Sequence, residues 1–160
     1  MNNHVFQLSQ SLGEQLVQRN WRIATAESCT GGGVAAAITA IAGSSAWFEY
    51  GIVSYANAAK EKLLGVSGEI LAREGAVSEA VVIEMAKGVL TLSGANIAVA
   101  ISGIAGPSGG SPEKPVGTVW FAWALATGEL KTELKHFHGD RASVQEQAVL
   151  CALQRINQLL

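Results

Sequence analysis

A serine, a cysteine and a threonine stand directly ahead of three glycines in the segment Ala26-Glu27-Ser28-Cys29-Thr30-Gly31-Gly32-Gly33. The segment joins an extended apolar run to an Ala-rich helical run. Hydroxyl and thiol side chains are nucleophiles of acyl transfer, and backbone N–H groups at glycines and helix starts can hold a developing oxyanion. On a functional reading Ser28 is the nucleophile, with Thr30 and the N–H groups of Gly31 and Gly32 as orienting or oxyanion donors. On a purely structural reading the segment is a tight strand-to-helix turn capped by Ser and Thr. It is neither the G-x-G-x-x-G dinucleotide fingerprint nor a Walker loop, which needs Lys-Ser/Thr after the glycines.

A serine nucleophile needs a base. His4 is close to the terminus, and His136 and His138 share an edge-like strand with Lys131, Glu133 and Lys135, so all three histidines read as surface residues. No spaced set of His, Cys, Asp and Glu points to a metal site. Lys60, in Ser54-Tyr55-Ala56-Asn57-Ala58-Ala59-Lys60, is the better candidate. With Asn57 as helix cap it falls in the first helical turn, where the helix dipole disfavours a cation. Burial would push its pKa down in the same direction, and a neutral lysine can take a proton from serine. Tyr55 could add a phenolic proton donor, although its five-residue separation from Lys60 does not fit the Tyr-x-x-x-Lys pair of short-chain dehydrogenases. A surface lysine is the competing structural reading.

Two further segments could complete a site. Ser102 to Pro115 is a Gly/Pro/Ser loop, and loops of this length are often functional. Ser102 would lie near Ser28 if their strands are neighbours, and Gly103 could offer an oxyanion donor. Arg141, in Gly139-Asp140-Arg141, could aim a guanidinium at a phosphate or carboxylate, and the glycine-rich turn after Ser28 is the other candidate anion cradle. A mobile loop and a surface arginine are the corresponding structural readings.

The elements that must position these residues follow from periodicity. Helices are expected over about 4–19, 34–42, 58–64, 67–74, 79–92 and 141–159, with Ser78 and Asp140 as caps and Gly65 and Gly75 as stops. Val5, Phe6, Leu8, Leu12 and Leu16 mark the apolar side of the first helix. Val81, Val82, Met85, Val89 and Leu92 mark that of the fifth. Strands are expected over 21–26, 48–55, 96–101, 116–126 and 129–137. The run 96–101 is apolar throughout and reads as a central strand buried on both faces. The last two strands meet at Thr127-Gly128 as an antiparallel hairpin. Ligands of open α/β sheets bind beyond the carboxyl ends of strands, where the Ser28 turn would sit. The order predicts an α/β protein, a three-layer α/β/α sandwich on a mixed, mostly parallel sheet of about five strands.

The chain has 160 residues, a net charge of −2 and 49% hydrophobic residues. One domain spanning 1–160 with a real core is expected. The absence of a basic stripe argues against a nucleic-acid partner. The first twenty residues read as an amphipathic helix rather than a signal peptide, and the longest apolar run is too short to span a bilayer as a helix. Two cysteines, Cys29 and Cys151, suggest no disulfide framework, so a cytoplasmic protein is expected.

The candidate segments together resemble the CinA C-terminal domain family, the PncC-type nicotinamide mononucleotide amidohydrolases. The matching stretches are Thr25 to Gly32, Tyr55 to Lys60 with Leu63-Leu64-Gly65-Val66, Gly75-Ala76-Val77-Ser78, Ser102 to Pro107, Lys114 to Val119 and Gly139-Asp140-Arg141. They run in order along nearly the whole chain, which is far more specific than any one motif. The resemblance implies a three-layer fold and hydrolysis of the carboxamide of nicotinamide mononucleotide. It matches Ser28 to the nucleophile, Lys60 to its base, and Tyr55 and Arg141 to supporting positions. It also implies a homodimer, no metal and no cofactor. Ala58 and Gln145 depart from the family pattern, which often has Glu and a second Arg there. The larger CinA proteins carry a further N-terminal pyrophosphatase-like domain, whose activity is not expected here. Two other readings compete: an amidase that uses Cys29 as nucleophile, and a nucleotide-binding module without catalysis.

Overall fold

A computed structural model describes residues 2–160; Met1 lies outside them. Among the described residues the chain forms, in order, α1 (Asn3–Arg19), β1 (Ile23–Glu27), α2 (Gly33–Thr39), a 3-10 turn (Ser44–Ala46), β2 (Phe48–Val53), α3 (Asn57–Leu64), α4 (Gly68–Glu74), α5 (Glu79–Ser93), β3 (Ile97–Gly103), β4 (Thr118–Leu125), β5 (Leu130–His136) and α6 (Arg141–Leu159). The expected element order holds, and bounds move by a few residues. Helix α2 stops at Thr39, not Ala42. Strand β3 runs on to Gly103 and so takes in Ser102.

Local chemistry accounts for most boundaries. The side chains of Ser67, Ser78 and Asp140 accept bonds from the N–H groups of Ile70, Val81 and Ser143 and start α4, α5 and α6. Such caps satisfy donors that a helix start leaves unpaired. Gly65 ends α3 at φ 68°, a conformation glycine adopts without strain. Asn57 is not the cap of α3. It is the first helical residue, and Ala56 is the extended residue ahead of it. The Ala56 carbonyl takes the first bonds, from Ala59 and Lys60.

The strands form one sheet in the order β2-β1-β3-β4-β5. Strands β2, β1 and β3 are parallel, β4 is reversed, and β5 returns to the common direction. The hairpin accounts for one antiparallel pair; the β3–β4 pair is a second. A parallel return needs a crossover, usually helical. The segment between β3 and β4 has no helix and leads back at the same end of the sheet.

Side-chain alternation splits the sheet into unlike faces. One carries Ile23, Ile97, Val99, Ile101, Val119, Phe121 and Trp123 and is covered by α1, α2 and α6. The other carries Ala24, Ala26, Ala98, Ala100, Ala122 and Ala124, against which α5 places Val81, Val82, Met85 and Val89. The result is the expected three-layer sandwich. Phe6 and Leu92 lie at the margins of their helix faces and are exposed. No described helix is long and apolar enough to cross a membrane.

Candidate active site

Ser28 follows the last residue of β1, at the carboxyl end of the parallel strands. Its N–H donates to the Ile101 carbonyl at 3.0 Å, which extends the β1–β3 pairing by one residue and brings Ser28 beside Ser102. Both serines are buried and line one cavity of about 320 Å³. That volume is at the low end for small-ligand sites. Tyr55, Asn57, Lys60, the 103–109 loop and Arg141 line it too.

Lys60 is 1% exposed. It is the fourth residue of α3, and helical side chains tilt toward the N-terminus. Its amine therefore folds back over the residues that lead into the helix. Nζ lies 2.8 Å from the Ser54 carbonyl, 3.1 Å from the Tyr55 carbonyl and 3.0 Å from Ser28 Oγ. Burial pushes the Lys60 pKa below its ordinary value of 10.5, against a weaker opposite pull from Cys29. A neutral amine has two N–H donors and one lone pair. Carbonyls can only accept, so in that form they would claim the two donors and leave the lone pair for the Ser28 hydroxyl, which also lies 3.5 Å from the Tyr55 carbonyl.

Cys29 is buried, and burial is the largest cause pushing its thiol up to about 12, with the charge of Glu27 adding to the rise. A thiol so shifted stays protonated at neutral pH and is a poor nucleophile. Its carbonyl accepts from the Gln145 amide at 2.9 Å. Gln145 thus braces the turn from α6 and does not line the Ser28 cavity.

Arg141 opens α6 and reaches across the cavity. One guanidinium nitrogen donates to the Gly106 carbonyl at 2.8 Å and another to the Tyr55 hydroxyl at 2.9 Å. Tyr55 is two residues beyond β2, and its ring is largely exposed. Its carbonyl meets Lys60 while its hydroxyl meets Arg141.

The structure brings together Ser28, Lys60, Tyr55, Ser102, Gly103 and Arg141. Thr30, Gly31 and Gly32 do not line the cavity. Thr30 Oγ donates to Glu27 at 2.6 Å, and the Gly31 N–H donates to the Ser28 carbonyl at 3.0 Å. Gly103 is better placed. Ile104 donates to the Thr118 carbonyl at 2.9 Å, so the alternation of an antiparallel ladder turns the Gly103 N–H away from β4, toward the Ser28 side. The three histidines are exposed. Among the described residues no cluster of three or more His, Cys, Asp or Glu forms a group that could hold a metal.

Asn57, Ala76 and Val77 also line the cavity, and nothing in their residue types marks them for it. Asn57 reads as a helix cap, and Ala76 and Val77 lie in the connection between α4 and α5. Glu27 stands out as a carboxylate closing a short buried strand.

The family model described as "CinA C-terminal domain" matches residues 5–160. The chain belongs to the CinA C-terminal domain family. Among curated relatives, it is 57% identical over 155 residues to "Nicotinamide-nucleotide amidohydrolase PncC" of Escherichia coli (strain K12), covering 97% of this chain and 94% of that protein. It is 52% identical to the protein of the same name from Pseudomonas putida, covering 95% and 94%. Among solved CinA-family structures, the competence damage-inducible protein A of Klebsiella pneumoniae superposes with a TM-score of 0.94 at 45% identity, covering 98% of this chain and 96% of that one.

Proposed function

We propose that this protein is a serine amidohydrolase that converts nicotinamide mononucleotide to nicotinate mononucleotide and ammonia. The nicotinamide-nucleotide amidohydrolases among its relatives support this substrate. The observation that carries the mechanism is the Lys60 amine, buried and 3.0 Å from Ser28 Oγ with two carbonyls fixing its other directions.

Neutral Lys60 takes the Ser28 proton as Oγ attacks the carboxamide carbon. An oxygen–carbon bond forms, and the carbonyl oxygen becomes an oxyanion held by backbone donors, the Gly103 N–H foremost. The tetrahedral intermediate collapses with cleavage of the carbon–nitrogen bond. The Lys60 ammonium, already beside the reacting atoms, protonates the departing ammonia; the Tyr55 hydroxyl is the alternative donor. Water then attacks the acyl-enzyme, with Lys60 again as base, and releases the carboxylate product with Ser28 restored. Arg141 and the 103–109 loop face the substrate phosphate, and Ser102 lies beside the reacting group. Every step uses groups of the chain and water alone.

A pyridine nucleotide salvage role in the cytoplasm and a homodimer belong to the same reading. Sedimentation at twice the chain's mass checks the dimer. Incubation with nicotinamide mononucleotide, with detection of ammonia and the acid product, tests the reaction. Binding of the mononucleotide without turnover would favour the silent binding module instead.

A further inference from the structure

The glycine-rich turn after β1 looks in sequence like an anion cradle, but the N–H groups of Gly31 and of the helix start behind it are already paired within the chain. Glu27 is 1% exposed and has no cationic partner among the described ion pairs. One carboxylate oxygen accepts from Thr30 Oγ at 2.6 Å and from the Val34 N–H at 2.9 Å. The other accepts from the Ala35 N–H at 3.1 Å. The Gly33 N–H donates to the Thr30 carbonyl at 3.0 Å and the Ala36 N–H to the Gly32 carbonyl at 2.8 Å. Every N–H from Gly33 to Ala36 is therefore paired within the chain. The negative charge of Glu27 also sits where the helix start would otherwise attract an anion.

The glycines have structural reasons independent of any ligand. Gly31 and Gly32 stand at φ 59° and 99°, which other L-residues rarely adopt. A Cβ at Gly33 would come within 2.8 Å of Val149 Cγ2 on α6. The turn is thus held by a carboxylate from within and by close helix packing from behind. It places Ser28, the residue next to Glu27, at the cavity; Cys29 lines the same cavity, with its thiol pushed up to about 12 by burial.

We infer that Glu27 is a positioning residue for the nucleophile, and that the glycine turn it clamps is a scaffold rather than an anion site. Recognition of the substrate phosphate then falls to Arg141 and the loop after β3, which line the cavity. This inference rests on the serine amidohydrolase reading.

The test compares Glu27→Gln and Thr30→Val with Arg141→Met and the wild type. Glutamine keeps the size of the side chain but sets an amide N–H against the Ala35 N–H. Misplacing a nucleophile by a fraction of an ångström should lower kcat of Glu27→Gln about 10- to 100-fold. Its KM for nicotinamide mononucleotide should stay within about threefold, because uniform binding is untouched. Arg141→Met should instead raise KM. Labelling of Ser28 by a fluorophosphonate should slow in Glu27→Gln in step with kcat. Thr30→Val, which removes only one bond to Glu27, should show the same pattern more weakly and serves if Glu27→Gln does not fold. An unchanged kcat and labelling rate in both variants, or a raised KM at normal kcat, would overturn the inference. A wild type that releases no ammonia from the mononucleotide would defeat the functional reading instead, and the labelling rates would still judge Glu27.

Discussion

At the scale of single residues, the account turns on one amine. Lys60 must be neutral to act, and burial moves it that way. The kcat/KM profile should therefore rise with pH on an acid limb whose midpoint lies below 10.5. A profile without that limb would remove Lys60 as the base. The same shift has a consequence for stability. Between the lowered folded value and 10.5 the unfolded chain binds more protons at this site, so stability rises with pH across that interval. Below it the penalty is complete. Lys60→Met lacks the penalty, although it leaves the Ser54 and Tyr55 carbonyls short of a donor. The wild-type thermal midpoint should gain on that of Lys60→Met as pH is raised toward 10.5. A constant gap between the two curves would show that the lysine is not shifted. Cys29→Ala should keep most of the activity, since a thiol pushed up to about 12 contributes little thiolate; ammonia release by that variant checks it.

At the scale of elements, α2 is placed by contact as well as by the Glu27 carboxylate at its start. A methyl group at Gly33 would press on Val149. Gly33→Ala should destabilise the protein by about 1–3 kcal/mol, as overpacking does. Adding Val149→Ala should recover part of that loss, read as thermal midpoints of the two variants. Two independent losses would argue against the contact. The sequence made much of this level legible. Ser78 and Asp140 announce their helices because a short polar side chain ahead of an apolar pattern has few other uses. Asn57 misled because Asn is a good cap, while the chain used Ala56 and left Asn57 helical. The Glu27 clamp was not legible, since its partners at Thr30, Val34 and Ala35 come together only once the turn closes.

At the scale of the whole molecule, the sheet decides which distant residues meet. Residues 96–101 read as a central strand from composition alone, and β3 is the middle strand of five. The second antiparallel pair was not legible, because a loop of Gly, Pro and Ser carries no mark of the direction in which it returns. Nor did any local pattern tell a buried Lys60 from an exposed Lys62. Their difference arises from Ser28 and the Ser54 and Tyr55 carbonyls, to which only the Lys60 amine reaches; the first-turn position and the resemblance to the CinA family singled out Lys60 without showing its burial. The large-residue face depends on Trp123, fully buried and stacked on Phe121 at a centroid distance of 5.5 Å. Trp123→Ala should cost about 3–5 kcal/mol, measurable by denaturant unfolding. The central claim is that a serine held by this framework carries out the hydrolysis. Ammonia release from nicotinamide mononucleotide by Ser28→Ala, at a concentration where the wild type turns over, tests it most directly. The account predicts that release falls to background while the variant stays folded; turnover near the wild-type rate would contradict it.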